Sequence, residues 1–229
     1  MRTESIMIDE EPKVAKENEM SSYNDSIKNG LSSYNDYIKL RKFVRKNHEK
    51  LHNETWSAFV KLMTYVPPQS YGIYFQKRLI RELNLKETHS NKDKGDFVDH
   101  FGDHYELKVS FSTDLIPKMN LVQIRPWQNT NYYFITFVLK DDKVYAYCFK
   151  LSHKQMLEEI ILCKMSSAHG TKKALVNNEK KELRKTINID SNDDTFKRWF
   201  LNYRSGFFDK YDDIISPETL EEIEFINLI

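Results

Sequence analysis

The run Lys94-Gly95-Asp96-Phe97-Val98-Asp99-His100-Phe101-Gly102-Asp103-His104-Tyr105-Glu106-Leu107-Lys108-Val109-Ser110 constrains the fold more than any other stretch. It holds two short apolar-alternating runs joined at Gly102-Asp103, the pattern of a β-hairpin or tight meander. Strand side chains alternate faces, so Glu106 and Lys108 share one side while Leu107 and Val109 take the other. An acid and an ammonium on an otherwise apolar strand are costly to bury without compensation. A further carboxylate, Asp96 or Asp99, arrives from the preceding run. Two carboxylates can hold a hard divalent cation, and a lysine beside them can activate water or stabilise charge at phosphorus. That is equipment for phosphodiester hydrolysis. The competing reading is an edge strand whose Glu and Lys form a solvated ion pair.

Register decides which aspartate joins the pair. A two-residue loop at Gly102-Asp103 pairs Phe101 with His104 and sets Asp99 opposite Glu106. A three-residue loop, or one bulge, moves Asp96 onto the Glu106/Lys108 face, because a slip of one residue swaps faces.

Gly95-Asp96 followed by Glu106-Leu107-Lys108 resembles the signature of the PD-(D/E)xK nuclease superfamily, with glycine replacing the leading proline. The tripeptide pattern also fits Glu11-Pro12-Lys13, Asp141-Asp142-Lys143 and Glu179-Lys180-Lys181, but only Glu106–Lys108 lies in a β-alternating run with an aspartate one run earlier. The resemblance covers roughly residues 70–150; beyond it the chain has the general look of a type II restriction endonuclease. It implies an α/β, restriction-endonuclease-like core, a central mixed β-sheet flanked by helices, with N- and C-terminal helical additions. It favours Asp96 over Asp99, and it implies Mg²⁺ held by Asp96, Glu106 and the Leu107 carbonyl, with Lys108 acting on water. It also makes Gln76 a candidate near the metal-bound water, since the helix before the catalytic strands often directs a Glu or Gln there. The implied activity is site-specific hydrolysis of double-stranded DNA to 5′-phosphate ends, by a homodimer whose two-fold axis matches a palindrome, without a small-molecule cofactor. A repair or recombination nuclease of the same fold, and a non-catalytic DNA-binding protein, are the alternatives.

Around that core, residues 1–32 read as a loosely ordered segment and 33–229 as a single domain: a helical hairpin over 33–66, the core over 70–150, and a helical, DNA-contacting part over 151–229. Ser33 and Asn53 are expected N-caps, and Pro67-Pro68 ends the hairpin. Ser70 to Asn84 is expected as a helix with Ile73, Gln76, Ile80 and Leu83 on one face. Asn120 to Gln128 reads either as a short strand or as a helix ended at Pro126, and it brings Gln123, Arg125, Trp127 and Gln128 together as candidate DNA contacts. Tyr132–Leu139 and Lys143–Lys150 are strands about a Lys140-Asp141-Asp142 turn. Ser152 caps a helix over 153–162, and Thr195–Leu201 is a last aromatic helix. Between these, a polar, basic loop offers His169, Thr171, Lys172, Lys173, Asn177 and Asn178 to phosphates and base edges.

At 229 residues, with 40% hydrophobic and 30% charged residues, the chain can bury one substantial core. Its net charge of +1 is silent on nucleic acid, but the charge is segregated: residues 39–50 and 172–185 are basic and the stretch from Asp209 to Glu224 is acidic. Two cysteines suit neither a zinc site nor a disulfide framework. With no apolar signal region and no spanning run, a cytoplasmic protein is expected.

Overall fold

The computed structural model describes residues 34–88, 95–113, 115–167 and 182–228. Two units are distinguished, 1–47 and 48–229. The described part of the first is the run 34–47 of helix α1 (Tyr34–Leu51), and every later element belongs to the second. The expected turn at 140–142 closes a long hairpin of β5 (Asn131–Lys140) and β6 (Lys143–Leu151), with Asp141 and Asp142 both at positive φ (50° and 60°), as a two-residue loop matching the strand twist requires. This hairpin extends a five-stranded sheet of order β1-β2-β3-β5-β6, where β1 is Lys86–Glu87, β2 Phe97–Val98 and β3 His104–Ser112. The sheet is mixed: β3 and β5 are parallel and every other pair is antiparallel. The protein is thus α/β, with a mixed central sheet flanked by helices.

Alternation divides the sheet into two apolar faces. On one, Phe111 of β3 and Phe137 of β5 meet Phe75 of α3 (Pro68–Glu82), which packs in turn on Trp56 and Phe59 of α2 (Trp56–Met63). On the other, Tyr132, Phe134, Tyr147 and Phe149 join Met156 of α4 (His153–Leu162) and Phe196, Trp199 and Phe200 of α5 (Asp194–Tyr203) in one buried cluster. Helix α6 (Leu220–Leu228) adds Ile223 and Ile226 to it.

Several expectations are corrected. The cap of α2 is Thr55, whose hydroxyl accepts from Ala58 N, while Asn53 Oδ1 instead accepts from Arg81. Pro68 does not merely end the hairpin; it opens α3 at a position where its missing N–H costs nothing. The buried face of α3 is Phe75, Arg78 and Leu79, leaving Ile73 54% exposed. Nothing in the sequence pattern marks Arg78 as a core residue. Its guanidinium lies 4.0 Å from the Trp56 ring centroid and 4.6 Å from that of Phe59, with Nη2 donating to Glu54 O at 2.8 Å, so α3 is tied to the start of α2.

The connection from β3 to the parallel β5 contains a strand, β4 (Lys118–Ile124), so the strand reading of 120–128 holds as far as Ile124. It belongs to a second, three-stranded sheet of order β4-β8-β7, with β7 at Ser166–Ser167 and β8 at Leu183–Asn188, which the sequence did not foretell. Among the described residues no helix is long and apolar enough to cross a membrane.

Candidate active site

Strand β2 is two residues long, pairing Phe97 with Tyr105 and Val98 with His104. Beyond Tyr105, β3 therefore has an open edge, and Asp96, Glu106 and Lys108 are gathered there. Neither expected hairpin loop forms. The connection runs from Asp99 to Asp103, and Asp99 closes it, accepting from Phe101 N at 2.9 Å and Asp103 N at 3.0 Å through Oδ1. Asp99 is thereby committed to the turn.

The register that results sets Asp96 opposite Glu106. Gly95 makes this possible: at φ +72°, with a side chain there meeting Tyr105 O at 2.5 Å, only glycine lets the backbone approach β3 so closely. Asp96 N donates to Tyr105 O at 2.7 Å, and Leu107 N donates to Asp96 Oδ2 at 2.8 Å. A strand residue's N–H and C=O point to the same side, so the Leu107 carbonyl also faces the Asp96 edge. Glu106 is 6% exposed, and Lys108 Nζ donates to its Oε1 at 2.5 Å. The pair is desolvated, unlike the solvated ion pair of an ordinary edge strand.

Two walls complete a cleft of about 500 Å³. Helix α3 supplies Tyr71, Gly72, Ile73 and Gln76; the Tyr71 hydroxyl donates to Val109 O at 3.3 Å, and Gln76 Nε2 donates to Asp96 O at 3.0 Å. Gln76 thus reaches the site but holds the backbone of Asp96. Strand β4 supplies Val122 and Gln123. These two stand as a bulge in the β4–β8 ladder, where Leu121 pairs with Lys185 and Ile124 with Leu183, and Gln123 has φ 53°. A glutamine in the left-handed region carries on the order of 1–3 kcal/mol of strain, and bulges beside clefts re-aim side chains.

Burial, then the neighbouring charge of Glu106, pushes the Asp96 carboxyl up to about 6, against the opposing pull of the Leu107 N–H, Lys108 and Arg125. Arg125 lies behind the pair, with Nη1 3.9 Å from Glu106 Oε1 and Nε donating to Glu182 Oε1 at 2.9 Å. Asp96 and Glu106 are the carboxylates lining this cleft, and no cluster of three or more His, Cys, Asp or Glu suited to a metal occurs among the described residues. Two acidic oxygens and a carbonyl on one edge suit a hard cation that keeps water in its remaining positions.

The other sequence candidates divide. Gln128 is 3% exposed and buried, so it does not offer its amide to a groove; the turn after Pro126 carries it inward, with its N–H donating to Arg125 O. Trp127 is half-buried. His169, Thr171, Lys172, Lys173, Asn177 and Asn178 lie outside the described residues.

Sequence reasoning missed Glu159. This fully buried carboxylate accepts from Arg198 Nε (2.9 Å) and Nη2 (2.8 Å), Trp199 Nε1 (2.8 Å), Tyr203 hydroxyl (3.0 Å) and Cys163 Sγ (3.0 Å), joining α4 to α5. Burial alone would raise its pKa, but these donors hold it below the ordinary value. Helical spacing of Arg198, Trp199 and Tyr203 was the available signal; their shared partner sits about 40 residues away. The network lies on the packed face between helices, which gives it a structural role. No family model matches the chain, and no curated protein matches it.

Proposed function

We propose that the chain is a Mg²⁺-dependent endonuclease of the type II restriction kind, with a restriction-endonuclease-like core, hydrolysing phosphodiester bonds of double-stranded DNA. One observation carries the reading: Asp96, Glu106 and Lys108, from two adjoining strand segments, converge at one open sheet edge inside a cleft. Asp96 and Glu106, with the Leu107 carbonyl, would hold the cation, and the like-charge pressure on Asp96 is what a divalent ion relieves. Bound there, Mg²⁺ would polarise phosphoryl oxygens and make bound water more acidic.

The chain's own groups do the rest. Lys108, held by Glu106, donates toward the attacking water or a phosphoryl oxygen and stabilises the charge that develops. Gln76 is a positioning residue, fixing the Asp96 carbonyl and so the carboxyl that follows it. In-line attack leaves a 5′-phosphate. A C₂ dimer would set one such site on each strand of a palindrome.

The test is incubation with a sequenced linear duplex and Mg²⁺, which should give discrete bands. Lys108→Ala should lower single-turnover cleavage by roughly 10²-fold or more while binding in Ca²⁺ persists, because ground-state affinity comes from many other contacts. Robust Mg²⁺-dependent cutting by Lys108→Ala refutes the assignment. Branch-specific cutting would select a repair nuclease, and binding without cleavage a non-catalytic protein.

A further inference from the structure

We infer that the outward face of the small sheet β4-β8-β7 is a duplex-DNA-reading surface that delivers the substrate to the cleft through the bulge at Val122–Gln123. The inference rests on the nuclease reading above for what happens in the cleft; the surface itself is argued from register and charge.

The pairing of Lys118 with Asn188, Asn120 with Thr186, and Arg184 with Ser166 fixes which side chains share a face. Met119, Leu121, Ile124 and Ile187 turn inward and are buried in the core cluster. The alternate positions turn outward: Lys118, Asn120, Arg184, Thr186 and Asn188, with Gln123 at the cleft end. A polar outer face is ordinary for an antiparallel sheet. Within the strands, none of these outward positions is a carboxylate, and Glu182, which follows in the same phase beyond Arg184, is engaged by Arg125. Two cations and several amides and hydroxyls, with no acid among them, complement a polyanion that also presents donors and acceptors.

Geometry agrees with the chemistry. Outward side chains on one strand repeat at i, i+2, about 6.8 Å apart, close to two base-pair steps of about 3.4 Å. A two-stranded ribbon fits the major groove, where Asn and Gln can pair with adenine and Arg or Lys with guanine or phosphate. Thr186 Oγ1 donates to Asn120 Oδ1 at 2.9 Å, which orients this amide and leaves its Nδ2 donors and one Oδ1 lone pair for a base edge. At the end of the ribbon, the bulge sets both Val122 and Gln123 opposite Arg184 and turns both into the cleft lining. The same strand therefore meets DNA on its outer face and the scissile region at its end.

The test compares full-length wild type with Lys118→Gln plus Arg184→Gln and with Asn120→Ala plus Asn188→Ala. Binding to a random-sequence duplex of about 30 base pairs in Ca²⁺ is followed across a salt series, and cleavage of a sequenced linear duplex is read in Mg²⁺. The cation pair should lower the log-log salt slope by about 1.8, at about 0.9 per lost phosphate contact. The asparagine pair should keep the slope and cut at additional sites. Asn120 and Asn188 are exposed and Lys118 and Arg184 half-buried, so melting curves matching wild type define the proteins compared; the single substitutions Lys118→Gln and Arg184→Gln, each expected to lower the slope by about half as much, serve if a pair fails to fold.

Unchanged slope and unchanged bands in both pairs, with wild type still cutting, overturn this inference and leave the nuclease reading intact. Altered binding with no cleavage by any protein upholds the surface and overturns the nuclease reading. The same salt series is run on a single-stranded RNA of similar length, and a slope change there but not on the duplex overturns the choice of partner. Wild type that binds no duplex overturns both.

Discussion

Replacing Asp96 with asparagine should stabilise the metal-free protein at neutral pH while abolishing cleavage. The Asp96 carboxyl is raised from 3.8 to about 6, first by burial and then by Glu106. A carboxyl raised on folding contributes stability that is fully present below its unfolded pKa and lost as pH rises through its folded one. The window is therefore about pH 4 to 6, and at pH 8 the ionised group opposes folding. About two units at 1.36 kcal/mol each give on the order of 2–3 kcal/mol. Asparagine keeps an oxygen to accept from Leu107 N, so the local hydrogen bond survives while the charge goes. Urea unfolding of wild type and variant in EDTA at pH 4.5, 6 and 8 measures the difference directly. The variant should match wild type at pH 4.5 and exceed it at pH 8, and Mg²⁺ at pH 8 should stabilise wild type alone. A variant destabilised equally at all three values would refute the reasoning, for then Asp96 matters as a hydrogen-bond acceptor and not as a strained charge.

Other substitutions probe the frame around the edge. Gly95→Ala should destabilise by about 1–3 kcal/mol in thermal melts and sharply lower cleavage, because a Cβ would strike Tyr105 O and displace Asp96; a neutral outcome would mean that the close approach is dispensable. Gln76→Ala should cost about 0.5–1.5 kcal/mol and slow single-turnover cleavage more than it weakens DNA binding, since Asp96 loses its carbonyl anchor; an intact rate in the folded fraction would leave Gln76 a purely structural donor. Glu159→Ala should cost about 3–5 kcal/mol by stranding Arg198, Trp199 and Tyr203, yet leave any cleavage by the folded protein unchanged. As its folded pKa is depressed, the wild-type contribution of Glu159 is present above the unfolded pKa and lost as pH falls through the acid range, which acid titration of variant against wild type would reveal.

Local pattern alone determined the long hairpin of β5 and β6, the helix α4 capped by Ser152, and the aromatic stripe of α5, because each is written in consecutive residues. It also determined that Glu106 and Lys108 share a face, since a period of two needs no partner strand. It could not choose between Asp96 and Asp99. That choice belongs to a hairpin register set by a five-residue connection and by the close approach at Gly95, both of which are contacts across strands. The buried face of α3 escapes the pattern because helical periodicity marks Ile73 and Ile80 as apolar but cannot say that Phe75, Arg78 and Leu79 meet the sheet first. The small sheet, with its bulge at Gln123, was hidden because β4 pairs with β8 across about 60 to 70 residues and β8, with Ile187 its one buried residue, is too polar to announce itself. The sequence supplied Asp96, Glu106 and Lys108; the short β2 strand, by leaving an edge of β3 open between α3 and β4, decided where they meet.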